Sequence, residues 1–324
     1  MSIKIGVLLM FVCFDPVVFM KSPYAAICLS VSLFSYLLLY FKQFMLYYFY
    51  YCCTRMIQMI IDFHTHCFPE KIAAKALAGL ASCSGSIIPY HEGSEQSLLK
   101  TIKTMGADMA VVLNIATNPR QQKSVNDYAI RLNSLEGLTA FGSVHPDSPD
   151  ALEELERIKQ AGIKGIKFHP DYQNFFVEDK RLFPLYKKAA ELGLITVFHA
   201  GVDIGLPNPV HCTPIGLSEI LPLFVGTPVV AAHFGGYMMR NETLRYLTGK
   251  DIYLDTSYSH SRFPAPWAKE IIEKHGAKKI LLGSDMPWSR TDYEINFIKG
   301  LHLPDEDTNL ILGGNAQRIL KIGA

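Results

Sequence analysis

The chain has 324 residues, 49% of them hydrophobic and 19% charged, with a formal net charge of +1. That balance excludes an intrinsically disordered chain, permits a large buried core, and offers no basic excess for gripping nucleic acid. Seven cysteines without a CxxC pair argue against a disulfide framework and against a cysteine-built zinc site.

Residues 1–58 differ from the rest. They hold one acid, Asp15, and four bases, Lys4, Lys21, Lys42 and Arg55, so the remainder carries a formal charge of −2. Tyr24 to Phe41 is an uncharged run of 18 residues, just the length of a membrane-spanning helix. A second apolar run covers 44–53. Two readings stand: a signal-anchor through residues 24–53, or spurious translation upstream of a start at Met59. The first tethers the protein to a membrane; the second leaves it cytoplasmic. A cleavable signal peptide fits less well, because Asp15 and Pro16 interrupt the first apolar run. On either reading the folded domain is expected over 59–324, with 1–58 a hydrophobic extension outside it.

From residue 60 onward, short apolar runs rich in Val, Ile and Leu alternate with amphipathic stretches. The runs predict strands over 60–65, 109–115, 138–144, 165–169, 194–199, 228–233, 251–256 and 279–285. Helices are predicted over 94–105, 149–160, 180–192, 237–248, 266–275 and 315–322. Eight strands alternating with helices over about 265 residues predict an α/β fold of the (β/α)8 TIM-barrel type. An open doubly wound sheet would need a glycine-rich phosphate loop after the first strand. The chain has His64-Thr65-His66-Cys67-Phe68-Pro69 there instead.

Six of the eleven histidines end a predicted strand or lie just past it: His64, His66, His145, His169, His199 and His233. In a TIM barrel those ends form the active-site mouth. His64 and His66 alternate along one strand, so both rings can face the interior and share a metal ion. His199, His233 and Asp285 each follow an apolar run and have small neighbours that leave room for a ligand. Together these five groups point to a metal centre.

Asp62-Phe63-His64-Thr65-His66, with His199, His233 and Gly283-Ser284-Asp285-Met286-Pro287-Trp288, resembles the amidohydrolase superfamily. The nearest likeness is to its amidohydrolase-related branch, which includes aminocarboxymuconate-semialdehyde and resorcylate-type decarboxylases. The resemblance spans about residues 59–322. It implies that His64, His66, His199 and Asp285 hold one divalent ion, Zn2+ with Mn2+ or Fe2+ as alternatives. It implies further that His233 and Asp285 act on water or substrate. Lys167 sits where many members carry a carboxylated lysine bridging two metals. Here it is expected, with His169, to support the site or bind substrate. His145, His211 and Arg290 are further candidates for substrate contact.

The expected activity is metal-assisted hydrolysis of a small-molecule amide, ester or lactone. The alternative is non-oxidative decarboxylation of a small unsaturated or aromatic acid at the same site. A TatD-type deoxyribonuclease would place a metal-bridging glutamate on strand four, where this chain has Gly165-Ile166-Lys167. A barrel serving only as a scaffold would be marked by a missing ligand, and none is missing. The expected partner is a small molecule rather than nucleic acid, with a homodimer left open.

Overall fold

The computed structural model describes residues 41–42, 59–85, 87–206 and 208–323. The anchor reading of 24–53 lies outside these residues apart from 41–42. No helix among the described residues is long and apolar enough to cross a membrane.

Eight strands follow one another: β1 Ile61–Thr65, β2 Met109–Leu113, β3 Leu138–Phe141, β4 Gly165–Phe168, β5 Ile195–Phe198, β6 Val229–Ala231, β7 Tyr253–Asp255 and β8 Ile280–Leu281. All pair in parallel, β1 to β3 in one ladder and β4 to β8 in another. Parallel bridges join the ladders at both seams, Gly142 with Ile166 and Thr65 with Met286. Lys167 N donates to Gly142 O at 2.8 Å, and Phe63 N donates to Leu282 O at 2.7 Å. The sheet therefore closes into a barrel, and among the described residues no strand edge is left unpaired.

Each predicted strand is present, but most end earlier than the apolar runs do. The chain leaves the ladder where a backbone turns to present a side chain. His233 has φ 57° and Asp285 φ 67°, conformations incompatible with continuing a strand.

Helices α1 Glu70–Cys83 and α2 Glu95–Thr104 follow β1. After β2 to β8 come α3 Gln122–Leu132, α4 Ala151–Gln160, α5 Phe183–Glu191, α6 Pro214–Ile220, α7 Arg240–Tyr246, α8 Ala265–His275 and α9 Thr291–Gly300. Two more, α10 Asp305–Asn309 and α11 Asn315–Leu320, end the chain. Local chemistry sets several starts. The Ser94 hydroxyl accepts from Ser97 N at 3.2 Å, ahead of Glu95 in the first turn of α2. Thr213 caps α6, with Pro214 at its first position. Helix α4 buries Ala151, Leu155 and Ile158, three- and four-spaced, against the barrel.

The barrel interior is filled by Ile61, Phe63, Leu113, Phe141, Val197 and their neighbours, and α11 contributes Ala316 and Leu320 to this cluster. Gly165 makes room for that packing. A Cβ there would lie 2.4 Å from the Phe141 ring and 2.6 Å from Ile195 O. Gly165→Ala should therefore overpack the interior and destabilise the protein by roughly 1–3 kcal/mol. Urea unfolding of the two proteins measures this directly; equal midpoints would show that Phe141 moves aside freely.

Candidate metal centre

Ile61 and Phe63 point into the barrel. Strict alternation would then turn His64 outward. The register prevents this: Asp62 pairs with Ala110 but Thr65 with Val112, so β1 carries one residue more than β2 in that interval. The extra residue resets the alternation and brings His64 and His66 together at the barrel mouth. Asp62, fully buried, fastens the irregular segment by accepting from His64 N at 3.2 Å, Ser284 N at 2.9 Å and the Thr291 hydroxyl at 2.6 Å. Asp285 N donates to His64 O at 2.8 Å, tying the ends of β1 and β8 together.

Proton positions follow from the partners. His64 Nδ1 donates to Asp255 Oδ2 at 2.8 Å, and His66 Nδ1 donates to Leu113 O at 3.0 Å. In the neutral rings both Nε2 atoms are then bare, and they face the same oxygen, Asp285 Oδ1, at 3.3 Å and 3.1 Å. Burial holds His64 neutral, lowering its pKa to about 4. Burial would raise the Asp285 carboxyl, but the surrounding His66, His64 and His233 rings outweigh it, leaving a pKa of about 2. Three lone-pair donors that converge without a proton between them repel one another, and a divalent cation relieves that repulsion. Asp255 and the Leu113 carbonyl act as the orienting partners that metal-bound histidines ordinarily have.

His233 lies beside this set. Its Nδ1 donates to the Ser257 hydroxyl at 2.8 Å, and that hydroxyl donates to Asp255 Oδ1. His199 Nδ1 donates to His233 Nε2 at 3.2 Å. Among the described residues, His199 Nε2 is left buried without a hydrogen-bond partner, and burial keeps the ring's pKa well below the usual value. His199 does not share the tight grouping of His64, His66 and Asp285; its Nε2 lies instead near His169 and Asp203. His169 stacks on His199 with centroids 4.1 Å apart. His169 Nδ1 accepts from Tyr172 N at 3.4 Å, so its Nε2 carries a proton and donates to Asp203 at 3.4 Å. That second group is thus already bonded internally.

Lys167 is buried, and its Nζ has no hydrogen-bond partner among the described residues. Burial lowers its pKa to about 8. Lys167, His169, His199, His233 and Asp285 all line one cavity of about 670 Å³, together with Tyr172, Tyr237, Tyr258 and Trp288. His145, His211 and Arg290 are placed outside its lining. His145 Nδ1 accepts from Asp147 N at 3.2 Å. His211 bonds Asp171 at 2.9 Å, and Arg290 grips Asp292 through two bonds of 2.9 Å and 2.8 Å. Asp255 was absent from the candidates read in the sequence. Its signal was available: Leu254-Asp255-Thr256 ends a predicted strand in a polar group, as Asp285 ends another.

Two outcomes follow from this geometry. Asp255→Asn should leave the fold intact and lower metal affinity about 10–100-fold, the usual consequence of losing an orienting partner. Chelator competition reads this, and wild-type affinity in the variant would deny Asp255 that role. Lys167→Met should stabilise the metal-free protein at pH 7 by up to about 3 kcal/mol, the equivalent of lowering a lysine pKa from 10.5 to about 8. Between those two values the unfolded chain binds the extra proton, so wild-type stability rises with pH and the gap closes. Urea unfolding at pH 7 and pH 10 tests the sign; a wild type more stable than Lys167→Met at pH 7 would refute it.

No curated protein matches the chain. Solved structures do, and the likeness they show is one of fold. The decarboxylase of 5-carboxyvanillate from Sphingomonas paucimobilis is 15% identical over 82% of this chain and 99% of its own, with a TM-score of 0.60. A dihydroxybenzoic acid decarboxylase from a Polaromonas species, with bound manganese, is 14% identical over 82% and 98%, with a TM-score of 0.63. A protein from Pseudomonas putida assigned as a 2-pyrone-4,6-dicarboxylic acid hydrolase is 16% identical over 82% and 99%, with a TM-score of 0.57. The sequence profile of the amidohydrolase family matches residues 61–322, from the first barrel strand to the last helix, and the chain belongs to that family within the metal-dependent amidohydrolase superfamily.

Proposed function

We propose that the protein is a metal-dependent hydrolase acting on a small-molecule ester, lactone or amide. One divalent ion, zinc by its nitrogen-rich ligand set, would be held by His64, His66 and Asp285, with His199 completing the set. The observation that carries this reading is the pair of bare Nε2 atoms facing Asp285 Oδ1 inside a cavity that also presents His233. An ion held there would supply Lewis-acid polarisation of the substrate carbonyl and would acidify water toward a pKa of about 7.

The chain's own residues supply the rest. His233 Nε2 carries no proton but accepts from His199 Nδ1, so it takes one from the attacking water once the His199 ring turns to the ion and withdraws that donor. The positive charge that develops on the ring is stabilised through Ser257 by the Asp255 carboxylate. The Asp255 carboxyl suits this role: burial would raise its pKa, but the adjacent His64 and His233 hold it well below the usual range. Water oxygen bonds to the substrate carbonyl carbon, the bond to the leaving group breaks, and His233 returns its proton to that group. Asp203 and His169 fix the far side of the His199 ring by packing and charge.

The decarboxylase reading keeps support from Lys167, a buried cation in the cavity that could hold a substrate carboxylate, and from the activities named for two of the structural neighbours. Against it, no arginine lines the cavity among the described residues. Incubating zinc- or manganese-loaded protein with ester, lactone and amide panels and with hydroxybenzoates separates the two: acid release supports hydrolysis, and carbon dioxide release supports decarboxylation.

On whichever substrate is turned over, His233→Asn should keep its metal while turnover falls roughly 10²–10⁴-fold, the scale of acid–base groups. His64→Ala should lose metal and activity together. Asp285→Asn should retain part of the metal and lose turnover severely. Loss of metal from His233→Asn as complete as from His64→Ala would make His233 a ligand and overturn the division of roles.

A further inference from the structure

We infer that the substrate carries an extended, uncharged apolar tail, laid in a channel between α1 and α3 that leads away from the metal centre. The inference rests on the metal-centre reading above and names what the rest of the cavity is shaped to hold.

Helix α1 has two apolar stripes. Ala73 and Leu77 are buried in the core. Ile72, Ala76 and Leu80, four residues apart, line the cavity instead, and Ser84 continues the same stripe. From Ile72 to Leu80 the stripe runs about 12 Å, at 1.5 Å per residue. Helix α3 faces it with a stripe of its own, Ser124, Val125 and Tyr128, preceded by Gln121. Leu113 and Ile115, at the end of β2, line the same cavity. The loop after β5 reaches the far end of α1. A Cβ at Gly205 would lie 3.5 Å from the Ser84 hydroxyl and 3.6 Å from Cys83 Cβ, and Ile204 lines the cavity there.

An apolar wall on a helix that could have presented polar groups to water has a cost unless something apolar covers it. The channel is also free of partners for charge. Outside the metal-centre group of His64, His66, Lys167, His169, His199, Asp203, His233 and Asp285, the single charged lining residue among those described is Lys71, and it is exposed. A carboxylate on the tail would therefore be desolvated without a buried partner. A cavity of about 670 Å³ exceeds what a reacting carbonyl group alone needs, and the surplus is the channel.

Straight-chain alkyl hydroxamates, from acetohydroxamate to octanohydroxamate, test this on the full-length, zinc-loaded protein, because the headgroup chelates the ion and the chain probes the channel. Calorimetry should show affinity rising about three- to fourfold per methylene, for a gain of roughly 700- to 4,000-fold over the six methylenes from the shortest to the longest. An octanohydroxamate ending in a carboxylate should lose most of that gain. Ala76→Phe, which fills the channel midway, should flatten the series, with acetohydroxamate in the same protein as its reference. Leu80→Ala, a milder change, should reduce the gain for octanohydroxamate several-fold. Tight acetohydroxamate binding with a flat wild-type series would overturn the channel and keep the metal centre. No binding by any hydroxamate would overturn the metal centre and this inference with it. A steep series untouched by both substitutions would place the tail elsewhere and also overturn it.

Discussion

Two imidazole nitrogens without protons face one carboxylate oxygen at 3.3 Å and 3.1 Å, and much of the barrel mouth is arranged to hold them there. Left to themselves, the rings would turn and donate to Asp285. They do not, because each Nδ1–H is already committed, one to Asp255 and the other to the Leu113 carbonyl. Asp255 in turn receives the Ser257 hydroxyl and His233 N, so a single buried carboxylate orients one prospective ligand and one prospective base. Asp62 plays the matching part beneath them, joining the irregular end of β1 to the turn that carries Asp285. Two buried aspartates thus set the positions of groups contributed by β1, β6 and β8.

This arrangement costs stability that the rest of the fold must offset. His233, Phe234, Tyr258 and Asp285 all have positive φ, each worth roughly 1–3 kcal/mol of strain in a residue other than glycine. Lys167 adds an amine without a hydrogen-bond partner among the described residues, buried beside uncharged imidazoles. Opposing these are a barrel closed at both seams and an interior packed around Phe63, Phe141 and Val197. Strain and buried polarity concentrated at strand ends, over a regular apolar barrel, is the division of labour that lets one scaffold hold a reactive site.

The barrel was legible because its signal is repetitive: eight apolar runs with amphipathic stretches between them. His64, His66 and Asp285 were legible because the rule that finds them needs only a polar group at the end of such a run. The same rule would have found Asp255, but attention to histidines passed over it. Other features depend on what sequence spacing cannot carry. Simple alternation placed both histidines inward, yet Phe63 is inward as well, and only an extra residue in β1 reconciles them. His199 reads as a plain ligand, whereas its Nε2 lies beside His169 and Asp203, a neighbourhood made by the loop after β5. Arg290 reads as a candidate for substrate contact until Asp292, two residues on, is seen to occupy its guanidinium. Helix α1 escaped detection because its apolar residues face two ways, which blurs the one-sided pattern by which helices are recognised.

That blurred pattern connects the two halves of the cavity. Only Cys67, Phe68 and Pro69 separate His66 from the first residue of α1, and Phe68 N donates to Gly93 O at 2.7 Å to hold the connection short. Whatever fixes the His66 ring also fixes the start of the helix whose stripe lines the channel. An ion at the metal centre would restrict the position of α1, and a tail lying on Ile72, Ala76 and Leu80 would restrict the segment that carries His66. On the proposed reading each occupant would lower the ordering cost of the other, so headgroup and tail would bind with positive coupling even without touching each other's residues. A substrate that presents both at once gains from that coupling in a way that a bare headgroup does not, and the extra binding can be directed to holding the reacting carbonyl against His233.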